Sequence, residues 1–280
     1  MKHRMMSKAD RAGLWCSRVF IWFFIALMIF PVLWIVAASF SKGDSFFRSS
    51  LLPSEVGVDN YVKLFGKTDF VRWICNSLLL CVCVSALQLV LTTTAAYAFS
   101  RMRFPGKKNG LKTLLVLQVF PNSMALAGYY IIIYHFGLVD NLLAVILVLS
   151  GGSAFNIWLL KSYIDGIPKE LDEAAFVDGA TNFQAFTKII LPLAAPEIVV
   201  IFLFTFISTY SEFVITSVFL QSPSKFTLAI GLQTFISNQF AAHWTLFAAA
   251  AVLSSLPIMI LFMALQKYIQ NGLTAGGVKE

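Results

Sequence analysis

One stretch decides the fold of this chain: Glu173-Ala174-Ala175, followed by Gly179 and then by Ile189, Leu191 and Pro192. It carries charge in the middle of a sequence that is 58% apolar and only 12% charged, whereas charged residues make up about a quarter of an ordinary soluble domain. A soluble protein of that composition would aggregate, so the composition predicts that lipid is the solvent. The charged stretch is therefore expected to lie in water and to face a soluble partner.

The positions of the charges indicate a membrane protein rather than a nucleic-acid-binding one. The net charge is +7, and the cations cluster in short segments beside apolar runs. This arrangement is typical of membrane orientation and not of a basic binding face. Cys81 and Cys83 have no further Cys or His at the spacing of a zinc site, so we interpret the cysteines as small buried hydrophobes and predict no metal site.

Six long apolar stretches predict the membrane spans. Five of them carry no formal charge, and the fifth along the chain carries one acid. Each reaches the roughly 20 residues needed to cross a bilayer. Because backbone amides left unsatisfied in lipid are costly, the stretches are expected to be helices. They are Val19–Ser41, Trp73–Ser100, Thr113–Tyr134, Asn141–Leu160, Ile198–Ser224 and Trp244–Gln266. We predict an all-α polytopic membrane protein with six transmembrane helices, whose transmembrane domain comprises residues 19–268.

Two cation-rich segments determine the predicted orientation. The leader, residues 1–18, carries five cations against one acid, and the connection after the second span carries five cations and no acid. The positive-inside rule places both segments in the cytoplasm, together with a central loop, residues 165–195, and a C-terminal tail, residues 269–280. The apolar run after the leader is too long for a typical signal peptide, so an uncleaved first helix is expected. Both chain ends are predicted to be cytoplasmic.

The central loop is predicted to form two short helices. Pro168 suits a first helical position, and good helix formers follow it. Gly179 can end the first helix in a left-handed conformation. Thr181 and Gln184 have the spacing of a capping box, which marks the start of a second helix.

This helix–glycine–helix segment is interpreted as a docking element. Ala174 and Ala175 are small enough to let the backbone of a partner approach. Phe176, Phe183 and Phe186 could anchor in an apolar groove of that partner. The alternative is an amphipathic segment that lies on the lipid headgroups.

The spacing of this loop resembles the EAA loop of ABC-importer permeases, where a membrane subunit docks onto an ATPase. Two further segments resemble the smaller permease subunit of maltose/maltodextrin-type importers: residues 95–106, Ala-Ala-Tyr-Ala-Phe-Ser-Arg-Met-Arg-Phe-Pro-Gly, and residues 271–279, Asn-Gly-Leu-Thr-Ala-Gly-Gly-Val-Lys. The resemblance covers nearly the full length. It implies the type I ABC-importer permease fold and a multi-pass location in the bacterial cell membrane.

The resemblance also implies roles and partners. The implied ATPase-coupling positions are Glu173, Ala174, Ala175, Phe176, Gly179, Phe183, Leu191 and Pro192, and the implied ATPase-interface tail positions are Gly276, Gly277 and Val278. The implied partners are a second homologous permease that completes the pore, two copies of an ABC ATPase and an extracellular solute-binding protein. The implied substrate is an oligosaccharide of the maltodextrin type, with galactan and raffinose-type sugars as alternatives.

The chain itself is not expected to hydrolyse ATP. Gly66-Lys67-Thr68 imitates the end of a P-loop, but Tyr61 occupies the position of its first glycine. The chain is therefore predicted to be a non-catalytic transport subunit without a cofactor. ATP and Mg would be bound by the partner ATPase.

Aromatic, hydroxyl and carboxyl side chains within the predicted spans are candidates for contact with a passing sugar. They are Tyr129, Tyr130, Tyr134, Tyr210, Ser211 and Glu212. Interfacial or packing roles suit the tyrosines equally well. Glu212, the one acid within a predicted span, has three possible roles: structural hydrogen bonding, lining of a passage, and proton coupling. The last role would fit the alternative function, a secondary proton-coupled sugar carrier that works without an ATPase.

Overall fold

The computed structural model describes residues 8–42, 55–151, 153–237 and 242–277. Within these ranges the chain is mostly helical and forms no strand, apart from an isolated antiparallel bridge between Ser41 and Val56. The α-helices there are α1 (Lys8–Ser39), α2 (Asp59–Lys67), α3 (Phe70–Arg101), α4 (Lys107–Leu117), α5 (Leu126–His135), α6 (Leu142–Leu149), α7 (Ala154–Asp165), α8 (Glu170–Val177), α9 (Asn182–Ala185), α10 (Leu191–Leu193), α11 (Ala195–Tyr210), α12 (Val214–Phe219), α13 (Leu228–Thr234) and α14 (Trp244–Gly277). The predicted all-α class is confirmed.

The described helices provide between three and five candidate membrane spans. Three helical segments are long and apolar enough to cross a bilayer by themselves: Gly13–Ser39, Phe70–Arg101 and Trp244–Tyr268. Two pairs of consecutive helices are together as long and apolar as these, but each pair is bent at a short break. The bend is 49° between α6 and α7 and 77° between the 182–193 segment and α11. The six spans and the cytoplasmic location of both ends remain predictions.

The third, fourth and fifth predicted spans are interrupted, the fourth at the bend between α6 and α7. Where one helix was expected over Thr113–Tyr134, α4 ends at Leu117, a 3₁₀ turn follows at Asn122–Ala125, and α5 begins only then. Pro121 lies at this break and has no N–H group for a continuing helix. In the fifth predicted span, α11 ends at Tyr210 and α12 begins at Val214.

The described chain divides into two compact units: residues up to 68 together with 234–253, and residues 69–233 together with 254 onward. In the first unit, α1 is exposed along most of its length. The side-chain amide of Asn60 in α2 donates to the carbonyls of Ser39 (3.0 Å) and Ser41 (2.9 Å). The start of α2 is thereby fixed to the end of α1.

The second unit is organised around α3, which packs along α7 and α11. One apolar cluster surrounds the first half of α3 and includes Leu80, Val84, Ile133, Val145 and Phe219. Another surrounds its C-terminal end and includes Tyr97, Leu160, Ile164, Phe186, Ile190 and Ile201. The second cluster lies under the central loop and holds it against the transmembrane helices.

A hydrogen-bonded carboxylate joins two loops of the second unit. Asp140, between α5 and α6, accepts hydrogen bonds from the backbone N–H groups of Gln221 (2.9 Å) and Ser222 (3.0 Å) and from the Ser222 hydroxyl (2.6 Å). It also pairs with Lys225 at 3.1 Å. Burial raises the pKa of the Asp140 carboxyl, but these hydrogen bonds outweigh burial and hold the pKa well below its usual range.

Asp140→Asn is expected to lower the free energy of unfolding at neutral pH by about 2 kcal/mol, because an amide cannot replace a carboxylate opposite these donors and a cation. The pKa in the folded protein lies below the unfolded value of about 3.9. The charged carboxylate therefore stabilises the fold above that pH, and this stabilisation is lost as the pH falls through the pKa of the folded state. Thermal melting in detergent should show a difference in melting temperature between wild type and variant that is larger at about pH 7 than at about pH 3. Equal differences at the two pH values would contradict this prediction.

Candidate functional site

The central loop has the predicted helix–glycine–helix form. The first helix, α8, begins at Glu170, two residues after Pro168, and its first turn carries Glu170, Asp172 and Glu173. Acids at this position interact favourably with the helix dipole. Gly179 has φ 84°, as its predicted left-handed role requires.

The second helix of the loop begins with the predicted capping box. Thr181 Oγ1 accepts a hydrogen bond from the Gln184 N–H at 3.3 Å, and Gln184 Oε1 accepts one from the Thr181 N–H at 2.8 Å. The short α9 then continues into a π-helical turn, Phe186–Ile190, which closes with a bond from the Leu191 N–H to the Phe186 carbonyl. The wider turn ends two residues before Pro192, which has no N–H group to donate within a continuing helix.

The loop presents large apolar side chains outward. Phe176 is 43% exposed, Phe183 is 72% exposed and Val177 is 88% exposed. Among the other predicted coupling positions, Glu173, Ala174, Gly179 and Pro192 are exposed, and Leu191 is half-buried. We call the outward residues Glu173, Ala174, Phe176, Val177, Gly179 and Phe183 the loop surface.

Two predicted partner-facing residues instead face the inside of the chain. Ala175 is buried, so among the two alanines only Ala174 is open to a partner. Phe186 is also buried, and its ring packs on Tyr97 of α3 with the centroids 4.9 Å apart. The prediction that Phe186 anchors a partner was wrong, because α3 already occupies its apolar face.

The loop is attached to the C-terminal end of α3 by polar contacts. The Tyr97 hydroxyl donates to the Asn182 carbonyl at 3.3 Å, and the Ser100 hydroxyl donates to Asp165 at 2.6 Å. Arg101 forms an ion pair with Asp172. The sequence showed Arg101 only as a cation that sets orientation. Its partner lies too far along the chain for a local pattern to reveal it.

A cavity of about 610 Å³ lies in the second unit among α3, α5, α7 and α11. Its polar lining is uncharged except for Glu212, and its amide and hydroxyl groups are the kind that bind a neutral polyhydroxylated ligand. The polar lining residues are Gln88, Gln118, Tyr129, Ser153, Asn156, Thr205, Ser208, Thr209 and Glu212. Of the six predicted passage candidates, Tyr129 and Glu212 lie here. The amides were missed, although uncharged polar residues inside apolar spans were the signal for them.

Glu212 combines a place in the cavity wall with a structural role. Its two carboxylate oxygens accept hydrogen bonds from the backbone N–H groups of Ile215 (2.9 Å) and Thr216 (3.0 Å), which open α12. Structural hydrogen bonding, the first of its three possible roles, is therefore present within this chain. The cap also accounts for the restart of the helix after the break at Tyr210.

The remaining passage candidates make contacts away from this cavity. The ring of Tyr130 lies 6.2 Å from that of Phe219 and 6.4 Å from that of Tyr134, which is itself 67% exposed. The Tyr210 hydroxyl donates to the Ser254 carbonyl at 2.9 Å. Ser211 donates back to the Ile207 carbonyl within its own helix turn.

The predicted tail positions are only partly described. Gly276 and Gly277 end α14, which runs without interruption from Trp244. Val278 lies outside the described residues. The role of these positions in an ATPase interface remains a prediction.

The family model of the binding-protein-dependent transport system inner membrane component matches residues 6–275. The chain belongs to this family. It is 37% identical over 292 residues to the maltose/maltodextrin transport system permease protein MalG of Escherichia coli K12, covering 97% of this chain and 98% of that protein. It is 36% identical to the maltodextrin transport system permease protein MdxG of Bacillus subtilis, covering 94% and 95% of the two chains.

The name of a third relative contains a different sugar. The galactooligosaccharides transport system permease protein GanQ of Bacillus subtilis is 38% identical, covering 92% of each chain. Among solved structures, a chain of a bacterial ABC transporter involved in the import of the acidic polysaccharide alginate superposes with a TM-score of 0.83 at 25% identity, covering 95% of this chain and 99% of that one. The predicted resemblance to MalG-type permeases is thereby confirmed, and the fold is that of type I ABC-importer permeases.

Proposed function

We propose that this protein is a transmembrane permease subunit of an ATP-driven oligosaccharide importer, and that the loop surface couples it to a separate ATPase. The observation that carries the proposal is the exposure of Phe176, Val177 and Phe183 on a loop whose sequence has the EAA spacing. Large apolar side chains in water next to a membrane are costly unless a partner covers them. Exposed aromatics around small residues are typical anchors for such a partner.

The membrane arrangement that fits this role has six spans with both ends in the cytoplasm. α4 and α5 together would form the third span along the chain and would raise the five candidate spans to six. The break between them is compatible with a membrane crossing, because irregular backbone is tolerated there when it is buried in protein or lines a cavity. Gln118 at this break lines the cavity. A second homologous permease would complete the pore, two ATPase copies would bind from the cytoplasm, and a solute-binding protein would deliver the sugar from outside.

Maltodextrin-type oligosaccharides are the proposed substrates. Two of the relatives above carry maltodextrin in their names, and the cavity offers neutral hydrogen-bonding groups rather than cations. A carboxylate and several amides and hydroxyls suit a neutral sugar better than an acidic one. Galactooligosaccharide remains the second candidate, since it is named for a relative of similar identity.

The proposed cycle begins when ATP closes the ATPase dimer. That closure displaces the loop surface, and the loop carries α7 and α11, which flank it in the chain. Their rigid-body tilt changes access to the cavity from one side of the membrane to the other. The sugar then passes from the docked binding protein, and ATP hydrolysis on the partner resets the helices.

Uptake into proteoliposomes tests the proposal. The chain is reconstituted with its second permease, its ATPase and its binding protein, and uptake of radiolabelled maltotriose, galactotriose and raffinose is measured with and without ATP. We expect maltotriose uptake that requires both ATP and the binding protein and that a protonophore does not reduce. Uptake of galactotriose alone would change the proposed substrate and leave the importer intact. Sugar uptake by this chain alone, driven by a proton gradient without ATP, would establish the carrier instead.

A further inference from the structure

A buried ion pair joins the last residue of α3 to the first turn of α8. Arg101 Nε lies 2.5 Å from Asp172 Oδ2, and both side chains are 7% exposed. Arg101 Nη2 also donates to the Ile167 carbonyl at 2.7 Å, so the guanidinium holds the segment before α8 as well as α8 itself. The pair thus fixes one transmembrane helix to the helix that carries the EAA sequence.

Stability alone does not account for this pair. A buried ion pair must overcome the desolvation of both charges, and apolar side chains of similar volume often stabilise a fold as well or better. Arg101 Nε contacts Asp172 Oδ2, but the buried second oxygen of Asp172, Oδ1, has no hydrogen-bond partner within the described chain. The desolvation is therefore only partly offset. What an ion pair supplies, and an apolar contact does not, is a directional link between two particular groups.

The helix at one end of this link also forms part of the cavity wall. Val84 and Gln88 of α3 line the cavity, and the Gln88 amide oxygen accepts a hydrogen bond from Thr205 of α11 at 2.7 Å. Between Gln88 and Arg101, α3 is continuous helix. A displacement applied at Arg101 is therefore transmitted along a rigid element to the cavity.

We propose that the Arg101–Asp172 pair is a coupling link that makes α3 follow the loop when a partner moves α8. Movement of the loop surface then reaches the cavity through α3, in addition to α7 and α11. Arg101 and Asp172 act as positioning residues, since both are buried beneath the loop surface. This inference rests on the proposed function, because it requires an ATPase on the loop.

The test follows the cavity wall while the ATPase is trapped in its closed state. In a cysteine-free version of the chain, Gln88→Cys is introduced, and the full transporter is assembled with its second permease and ATPase. The rate of maleimide labelling at position 88 is measured with and without ATP plus vanadate. We expect this treatment to change the labelling rate by about tenfold in the parent and by less than about twofold in Arg101→Met and in Asp172→Leu.

The double variant Arg101→Met/Asp172→Leu separates coupling from folding. It leaves no unpaired charge buried, so it is expected to assemble even where the single variants do not, and gel filtration with the ATPase checks this. The labelling response should still be lost. Arg103→Met, which removes an exposed cation two residues further on, should respond as the parent does.

A double variant with the full response of the parent would overturn the link and leave the pair with a structural role alone. A double variant that does not assemble would overturn it too, because the pair would then be required for folding. If the parent itself shows no response to ATP plus vanadate, it is the proposed function that fails.

Discussion

Replacing Gly179 with valine is expected to abolish ATP-dependent uptake while the chain still inserts into the membrane. Gly179 has φ 84°, a left-handed conformation that costs other residues about 1–2 kcal/mol and that β-branched residues almost never adopt. Among the described residues, no atom beyond the two chain neighbours lies within 4 Å of a Cβ added there, so the strain is in the backbone and not in packing. Relief of that strain is expected to rotate α9 relative to α8 and to change the position of Phe183 relative to Phe176. The loop surface would then no longer match its partner.

Maltotriose uptake into proteoliposomes, with ATPase co-purification as the second readout, measures the effect. We expect uptake to fall at least about a hundredfold, in line with the loss of a few kcal/mol at a central anchor. Gly179→Asn is the matched control, because asparagine tolerates the left-handed region better than other side chains. It should retain most of the uptake. If valine transports as well as glycine, the loop is not the coupling element.

Gly231→Ala is expected to destabilise the second unit by about 3 kcal/mol, near the upper end of the usual cost of overpacking. A Cβ at this position would lie 2.1 Å from the Trp73 ring, far inside van der Waals contact. The ring cannot withdraw easily, because Trp73 is buried and its Nε1–H donates to the Pro223 carbonyl at 3.1 Å. Either α13 shifts or this hydrogen bond breaks.

Thermal melting of the purified protein in detergent, followed by intrinsic fluorescence, measures this loss. Gly128→Ala in α5 is the control, since a Cβ there meets no other part of the described chain within 4 Å and alanine favours helix. The control should melt at or above the wild-type temperature. A second variant, Gly231→Ala with Trp73→Phe, should recover part of the loss, because the smaller ring leaves room for the added methyl group. Unchanged melting of the single variant would show that the ring moves away without cost.

Local sequence signals predicted the loop well. Gly179, Thr181 and Gln184 act through contacts with residues a few positions away, so their spacing alone was enough to predict the turn and the capping box. The first, second and sixth spans were predicted for the same reason, since each is one uninterrupted apolar helix. The break in the third span was not predicted, because proline is tolerated in many membrane helices. Pro31 and Pro257 lie inside unbroken helices, so the proline at position 121 was not enough to distinguish a bend from a break.

Contacts between distant parts of the chain were not predictable in the same way. Phe186 is the type of large apolar residue that often anchors a partner. Only its packing against Tyr97 of α3 shows that it is buried within the chain. Arg101 and Asp172 were visible as charges, but their pairing depends on how α3 and α8 are brought together. The cavity depends on Gln88, Gln118 and Asn156 from three separate segments. Aromatic rings and acids were the expected signals of a sugar passage, so these amides were missed.

The π-helical turn at Phe186–Ile190 determines which side of the following residues, 191–194, faces α3. Such a turn holds one residue more than an α-helical turn, and each residue of an α-helix advances the side chains by about 100° around the axis. Without the extra residue, Leu191 and Ala194 would turn by about 100° around the axis, away from the apolar cluster at the C-terminal end of α3 into which both pack. The π-helical turn thus sets how the loop seats on α3 before the chain bends into α11.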